Sequence, residues 1–215
     1  MPTICFVRHG LVHNPEQVYY GRLPGFFIGN EGLAQAKLAG EWLARQQGLK
    51  VREIRCSPML RARQTAGAIL AEMLGSTATI AVTVTPDLNE VHSRSDGMKA
   101  ADIERIGWDS IYDTEPGQGF ETFPEFYARV AGVIKMIAGT ATEDTICVTH
   151  GDVCLCAHMY ARQLPGTAES KALLREEGFY PQTASVISMS VDTEGAVLGH
   201  SYTEAGTGEG AAAGL

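Results

Sequence analysis

Apolar and polar positions alternate along the chain with two periods, and the switches between them mark the elements. Thr3 to Val7 is a continuous apolar run that stops on Arg8-His9-Gly10, the pattern of a buried strand delivering polar side chains at its carboxyl end. Leu33, Ala36, Leu38, Ala39, Trp42 and Leu43 recur at helical spacing, which predicts a helix from near Asn30 that closes at Gly48. Val51 to Cys56 reads as a second strand, ended by Ser57-Pro58 before a helix from about Leu60 to Leu74. Thr79 to Thr85 alternates as a third strand and leads through Pro86 into Asp87-Leu88-Asn89-Glu90. Residues 91–122 are poorly patterned, with one short helical segment at Ala100 to Ile106, and read as a lid inserted after Glu90. A longer helix follows from Phe123 to Gly139, with Phe126, Val130, Val133, Ile134 and Ile137 on one face. Asp144 to Thr149 is a fourth strand ending on His150-Gly151, followed by helices at Val153 to Arg162 and Ala168 to Glu177. Ser185 to Val191 and Ala196 to Tyr202 flank the turn Asp192-Thr193-Glu194-Gly195 and predict a hairpin at a sheet edge. Strands alternating with helices define an α/β fold with a mostly parallel sheet. One domain is expected over residues 1–205, and the Gly/Ala-rich stretch 206–215 reads as a mobile tail.

Composition narrows the class. The formal net charge of −8, without a basic run or face, argues against nucleic-acid and anionic-membrane partners. Five cysteines, an odd number partly inside apolar runs, fit buried thiols of a cytoplasmic protein better than a disulfide framework. No apolar run reaches membrane-spanning length. Any anion site must therefore be local.

Such a site is visible in the polar stops. Open α/β sheets bind ligands at the carboxyl ends of their strands. Arg8, His9, Glu90 and His150 all fall at such ends, and Arg61 falls in the first turn of a helix that starts there. Guanidinium groups suit phosphate or carboxylate, and an imidazole can serve as base, metal ligand or nucleophile. A metallophosphoesterase is suggested by His150-Gly151-Asp152, but the chain has no Asp-x-His pair and no His-x-His, so no metal site and no cofactor are expected. His13, His92, His158 and His200 lack a comparable context and read as packed or solvated side chains.

Three segments occur in one order: Arg8-His9-Gly10, then Ser57-Pro58-Met59-Leu60-Arg61-Ala62-Arg63-Gln64-Thr65-Ala66, then Thr149-His150-Gly151 after Glu90. Together they resemble the histidine phosphatase superfamily, also called phosphoglycerate-mutase-like, over about residues 3–190. His13-Asn14-Pro15 and Tyr20-Gly21-Arg22-Leu23-Pro24-Gly25 are similar to one branch of it. The resemblance implies a three-layer α/β/α fold and a phosphomonoester hydrolase acting on a small molecule. In that reading His9 is the nucleophile, Arg8 and Arg61 neutralise the phosphoryl group, His150 donates to a phosphoryl oxygen and Glu90 is the general acid and base. It also implies substrate contacts from Asn14, Arg22, Gly25, Gly151 and Asp152, with Arg22 equally able to anchor its loop. A phosphoglycerate mutase and a non-catalytic phospholigand-binding module remain open as alternatives. Resembling mutases grip a bisphosphate with Tyr, Lys and paired arginines after the acid, whereas Val91 to Lys99 has no tyrosine and only Arg105 lies nearby, which favours the phosphatase. Neither the particular phosphomonoester nor the oligomeric state follows from the sequence.

Overall fold

A computed structural model describes residues 1–73, 79–116 and 118–207. Among them, six strands form one sheet: β1 (Thr3–Arg8), β2 (Val51–Cys56), β3 (Ala81–Val84), β4 (Asp144–Thr149), β5 (Val186–Val191) and β6 (Val197–Thr203), in the spatial order β3-β2-β4-β1-β5-β6. β1 to β4 pair in parallel, while β5 runs antiparallel to β1 and β6 antiparallel to β5. The expected hairpin thus closes one edge. β3 closes the other, and all four of its side chains are exposed.

Side chains leave a strand on alternate faces, and β1 shows the result directly. Ile4 and Phe6 enter one core with helices α4 (Phe123–Thr140), α5 (Gly151–Ala161) and α6 (Ala168–Glu176). Cys5 and Val7 enter a second core with α1 (Asn30–Ala44) and α2 (Leu60–Met73). Two cores on two faces give the three layers. Small residues let the layers approach: a Cβ on Gly10 would lie 2.2 Å from the Gly32 carbonyl oxygen, so the exit of β1 presses directly on the first turn of α1.

Several boundaries shift. α1 stops at Ala44, short of Gly48, and its N-cap residue Gly29 supplies no side-chain hydrogen bond. α5 begins at Gly151, immediately after His150, two residues before the expected start. Leu74, the expected end of α2, lies outside the described residues. Segment 91–122 contains α3 (Ala100–Ile106) as expected and also a 3₁₀ turn at Trp108–Tyr112, whose Ile111 and Tyr112 are buried in the first core. Ala205 and Gly206 are buried in a 3₁₀ turn, Ala205–Thr207, so the expected mobile tail is docked at its first position, Gly206. Residues 208–215 lie outside the described residues. No helix among the described residues is long and apolar enough to cross a membrane.

Candidate active site

Register alone assembles the centre. Arg8 of β1 pairs with Thr149 of β4, and Cys56 of β2 with Val148, so the residues that follow each strand meet at one edge. The His9 amide donates to the Thr149 carbonyl at 2.8 Å, and the Ser57 amide to the Val148 carbonyl at 3.0 Å. His9 and His150 consequently stand edge to face, with ring centroids 5.4 Å apart.

His9 is buried, and its Nδ1 lies 2.8 Å from the Gly10 carbonyl oxygen. A carbonyl only accepts, so Nδ1 carries the hydrogen and Nε2 holds a free lone pair. Burial, then the charges of Arg61 and Arg8, push the imidazole well below its ordinary pKa and keep it neutral.

The guanidiniums are held by main-chain oxygens and still have donors to spare. Arg8 gives Nη1 to Pro181 O at 2.6 Å, and Arg61 gives Nη2 to Gly21 O at 2.6 Å. Arg8 Nε, Arg61 Nε and Arg61 Nη1 are buried without a hydrogen-bond partner among the described residues. Leaving three such donors unmet is costly unless an anion takes them. Arg61 is completely buried, lies over the Tyr20 ring at 4.7 Å, and contacts His150 Nδ1 at 3.1 Å.

That contact fixes the tautomer of His150. A guanidinium only donates, so Nδ1 accepts and Nε2 gives its hydrogen to Ser57 Oγ at 2.7 Å. Both ring nitrogens are therefore engaged. The direct donation to a phosphoryl oxygen expected for His150 requires Nδ1 to gain a proton and Arg61 to let go of it; in the arrangement seen, His150 orients Arg61.

Glu90 arrives from the third strand through a 3₁₀ turn at Pro86–Leu88. Its segment is clamped: Thr149 Oγ1 donates to Leu88 O at 2.6 Å, and Arg129 Nη1 to Asp87 O at 2.6 Å and Asn89 O at 2.9 Å. The Glu90 carboxyl is buried, 7% exposed, and receives the Val91 amide on Oε1 at 2.9 Å. Burial, and next the charge of Asp152, raise its pKa to about 8, against the pull of that amide and of Arg61 and Arg8. Asp87, the nearest rival carboxylate, is exposed on the turn.

A cavity of about 600 Å³ opens from this centre, with Arg8, His9, Asn14, Glu90, Gly151 and Asp152 in its lining. Asn14 spends its amide largely on its own loop, donating Nδ2 to Val18 O at 2.9 Å and accepting from Val18 N at 3.2 Å. Asp152 is buried and accepts from the Tyr180 hydroxyl at 3.3 Å. Gly151 is needed there, because a Cβ would lie 2.3 Å from that hydroxyl oxygen. Two expected contacts are not brought to the cavity. Arg22 anchors its loop, giving Nε to Glu90 O at 2.7 Å and pairing with Glu121 at 2.8 Å, and Gly25 is an exposed turn residue at φ +85°. His13, His92 and His158 stack on or tilt against Phe27, Phe120 and Phe179.

Sequence reasoning missed Tyr180, Arg129 and Glu121 as parts of the site's frame. Tyr180 lies under the Arg8 guanidinium at 5.1 Å, and Glu121 joins Arg22 to Arg129. Glu121 carried a signal in Gly119-Phe120-Glu121-Thr122, while Arg129 reads only as a helix-surface charge.

A mostly parallel α/β sheet carries a neutral imidazole, unmet guanidinium donors suited to an anion, and a protonatable carboxyl at its carboxyl edge. Residues 4–199 match the histidine phosphatase superfamily (branch 1), and the chain belongs to that family. An uncharacterised protein of Mycobacterium tuberculosis, Rv0525, is 32% identical over 151 residues, covering 67% of this chain and 70% of its own. Among solved structures, the mycobacterial glucosyl-3-phosphoglycerate phosphatase Rv2419c superposes with a TM-score of 0.70 at 20% identity, covering 94% of this chain and 96% of its own. A putative alpha-ribazole-5′-P phosphatase from Escherichia coli gives 0.68 at 19% identity, covering 90% and 93%. These two likenesses show the shared fold.

Proposed function

We propose that the chain hydrolyses phosphomonoesters through a phosphohistidine on His9. The observation that carries this reading is the set of three unpartnered guanidinium donors beside a neutral imidazole with its Nε2 lone pair free. In the first step Nε2 forms a bond to phosphorus while the ester P–O bond breaks, and the leaving oxygen takes the proton of Glu90. Arg8 and Arg61 meet the charge on the equatorial oxygens. In the second step water gives a proton to the Glu90 carboxylate and its oxygen bonds phosphorus. The P–N bond then breaks, its electron pair returns to Nε2, and inorganic phosphate leaves. The five buried free cysteines suit a cytoplasmic setting.

The test is a phosphate-release assay with and without chelator, run also on 3-phosphoglycerate with product analysis. Phosphate should appear at the same rate in chelator, and faster than any 2-phosphoglycerate, with no stimulation by 2,3-bisphosphoglycerate. Loss of activity in chelator with rescue by zinc or manganese, or strong bisphosphate stimulation, contradicts it.

A further inference from the structure

Beyond the phosphoryl end, the cavity is built for an alcohol that is large, ring-bearing and uncharged. A volume of about 600 Å³ is in the range that holds whole organic ligands, far more than a phosphoryl group needs. Its walls are aromatic: Tyr19, Tyr20, Trp108, Tyr112, Phe179 and Tyr180 come from the loop after β1, the covering segment and the stretch after α6.

The cations facing this space are already engaged in ion pairs. Two cations, Lys171 and Arg175, line it from α6. Both are bound to Asp109, Arg175 through two hydrogen bonds of 2.8 and 2.9 Å and Lys171 through an ion pair. The Lys171 ammonium also lies over the Tyr112 ring at 3.9 Å and the Phe123 ring at 4.9 Å. Asp152 and Glu90 are the carboxyl groups in the wall; Glu90 holds its proton up to about pH 8, and Asp152 in its ionised form opposes a second anion on the substrate. What the wall does offer is neutral: the hydroxyl of Tyr19 is buried without a hydrogen-bond partner among the described residues, while that of Tyr112 faces Asp152. An unmet phenol in an aromatic wall fits a hydroxyl, carbonyl or ring-nitrogen group of a ligand.

We infer that the preferred substrates are phosphomonoesters of bulky, ring-bearing alcohols without a second acidic group, held between the aromatic walls and hydrogen-bonded by Tyr19. This rests on the reading that the Arg8–His9 end takes the phosphoryl group. It disfavours phosphoglycerates and bisphosphates, whose extra anions would meet Asp152.

Binding of non-hydrolysable phosphonates to the full chain, measured by calorimetry, tests it without relying on turnover. The probes are methylphosphonate, 1-naphthylmethylphosphonate, propylphosphonate and 2-carboxyethylphosphonate. The naphthyl compound should bind about 10- to 100-fold more tightly than methylphosphonate, as expected for burying an aromatic group. The carboxyethyl compound should bind no better than the propyl one. Trp108→Ala should shrink the naphthyl-to-methyl ratio several-fold, and Phe179→Leu gives a second reading of the same ratio should the first variant fold poorly. Equal affinities for naphthyl and methyl compounds, or tighter binding of the carboxyethyl compound, overturn the inference while leaving the phosphoryl site standing. No binding of methylphosphonate overturns the phosphoryl site itself, and the inference with it.

Discussion

Two buried carboxyl groups, Glu90 and Asp152, share the cavity with His9, and each ionises less readily than an exposed carboxylate. If Glu90 protonates the leaving oxygen, the first step needs Glu90 protonated and His9 neutral. Glu90 keeps its proton up to about pH 8, and His9 stays neutral to well below its ordinary value. The burst of p-nitrophenol from p-nitrophenyl phosphate should therefore show no acid limb near the ordinary histidine range. The same logic for an alkyl phosphate, which needs the proton, predicts a single-turnover rate that falls as pH rises through about 8. Asp152→Asn removes a charge that raises the Glu90 pKa, so this fall should move to lower pH. Glu90→Gln should slow alkyl phosphate cleavage by about 10²–10⁴, the usual worth of a general acid, and slow the p-nitrophenol burst much less. Equal slowing of both would mean that Glu90 positions the substrate and that the acid lies elsewhere.

Among the elements, segment 91–122 is held by contacts distant in sequence. The 3₁₀ turn at Trp108–Tyr112 is tied to α6 by Asp109, which takes both Lys171 and Arg175. Hydrogen bonding from Arg175 is the main cause that lowers the Asp109 carboxyl from 3.8 to about 2. A depressed carboxyl pKa contributes stability above its ordinary value and loses it as pH falls through the depressed one, so the tie should hold above about pH 4 and weaken toward pH 2. Asp109→Asn should speed amide hydrogen exchange across residues 100–112 at pH 7 with little change in the sheet; unchanged exchange there would rule the tie out. The same segment shows where the sequence pattern stops being informative. Strands β1 and β4 were legible because buried parallel strands are near-continuous apolar runs with polar stops, whereas β2, with Arg52, Glu53 and Arg55 in it, was legible from the Ser57-Pro58 stop that ends it. The covering turn was not, because Trp108, Ile111 and Tyr112 span too short a stretch to show a period, and an ion pair 62 or 66 residues apart has no local signature. The start of α4 was readable in more detail than periodicity gave: Thr122-Phe123-Pro124-Glu125 forms a capping box, with Thr122 Oγ1 accepting from Glu125 N at 3.5 Å and the Glu125 carboxylate accepting from Thr122 N at 2.9 Å.

Taken whole, the molecule carries its chemistry where strand order brings separated segments together. Arg8 and His9, Arg61, Glu90 and His150 come from four stretches of a 215-residue chain, and all of these positions could be named from motif order alone. What motif order left out was the supporting frame: Arg129 on the carbonyl oxygens of Asp87, Asn89 and Glu90, and Tyr180 beneath Arg8. These depend on packing between helices and loops, which periodicity does not encode. The central claim is that the molecule passes through a covalent state with the phosphoryl group on His9. Mixing the protein with p-nitrophenyl phosphate, quenching in base within the burst and measuring intact mass should reveal one added phosphoryl group. That group should be stable in base, lost in acid and absent from His9→Ala. Rapid turnover by His9→Ala, or no covalent phosphoryl group in the wild type during a burst, would contradict the account.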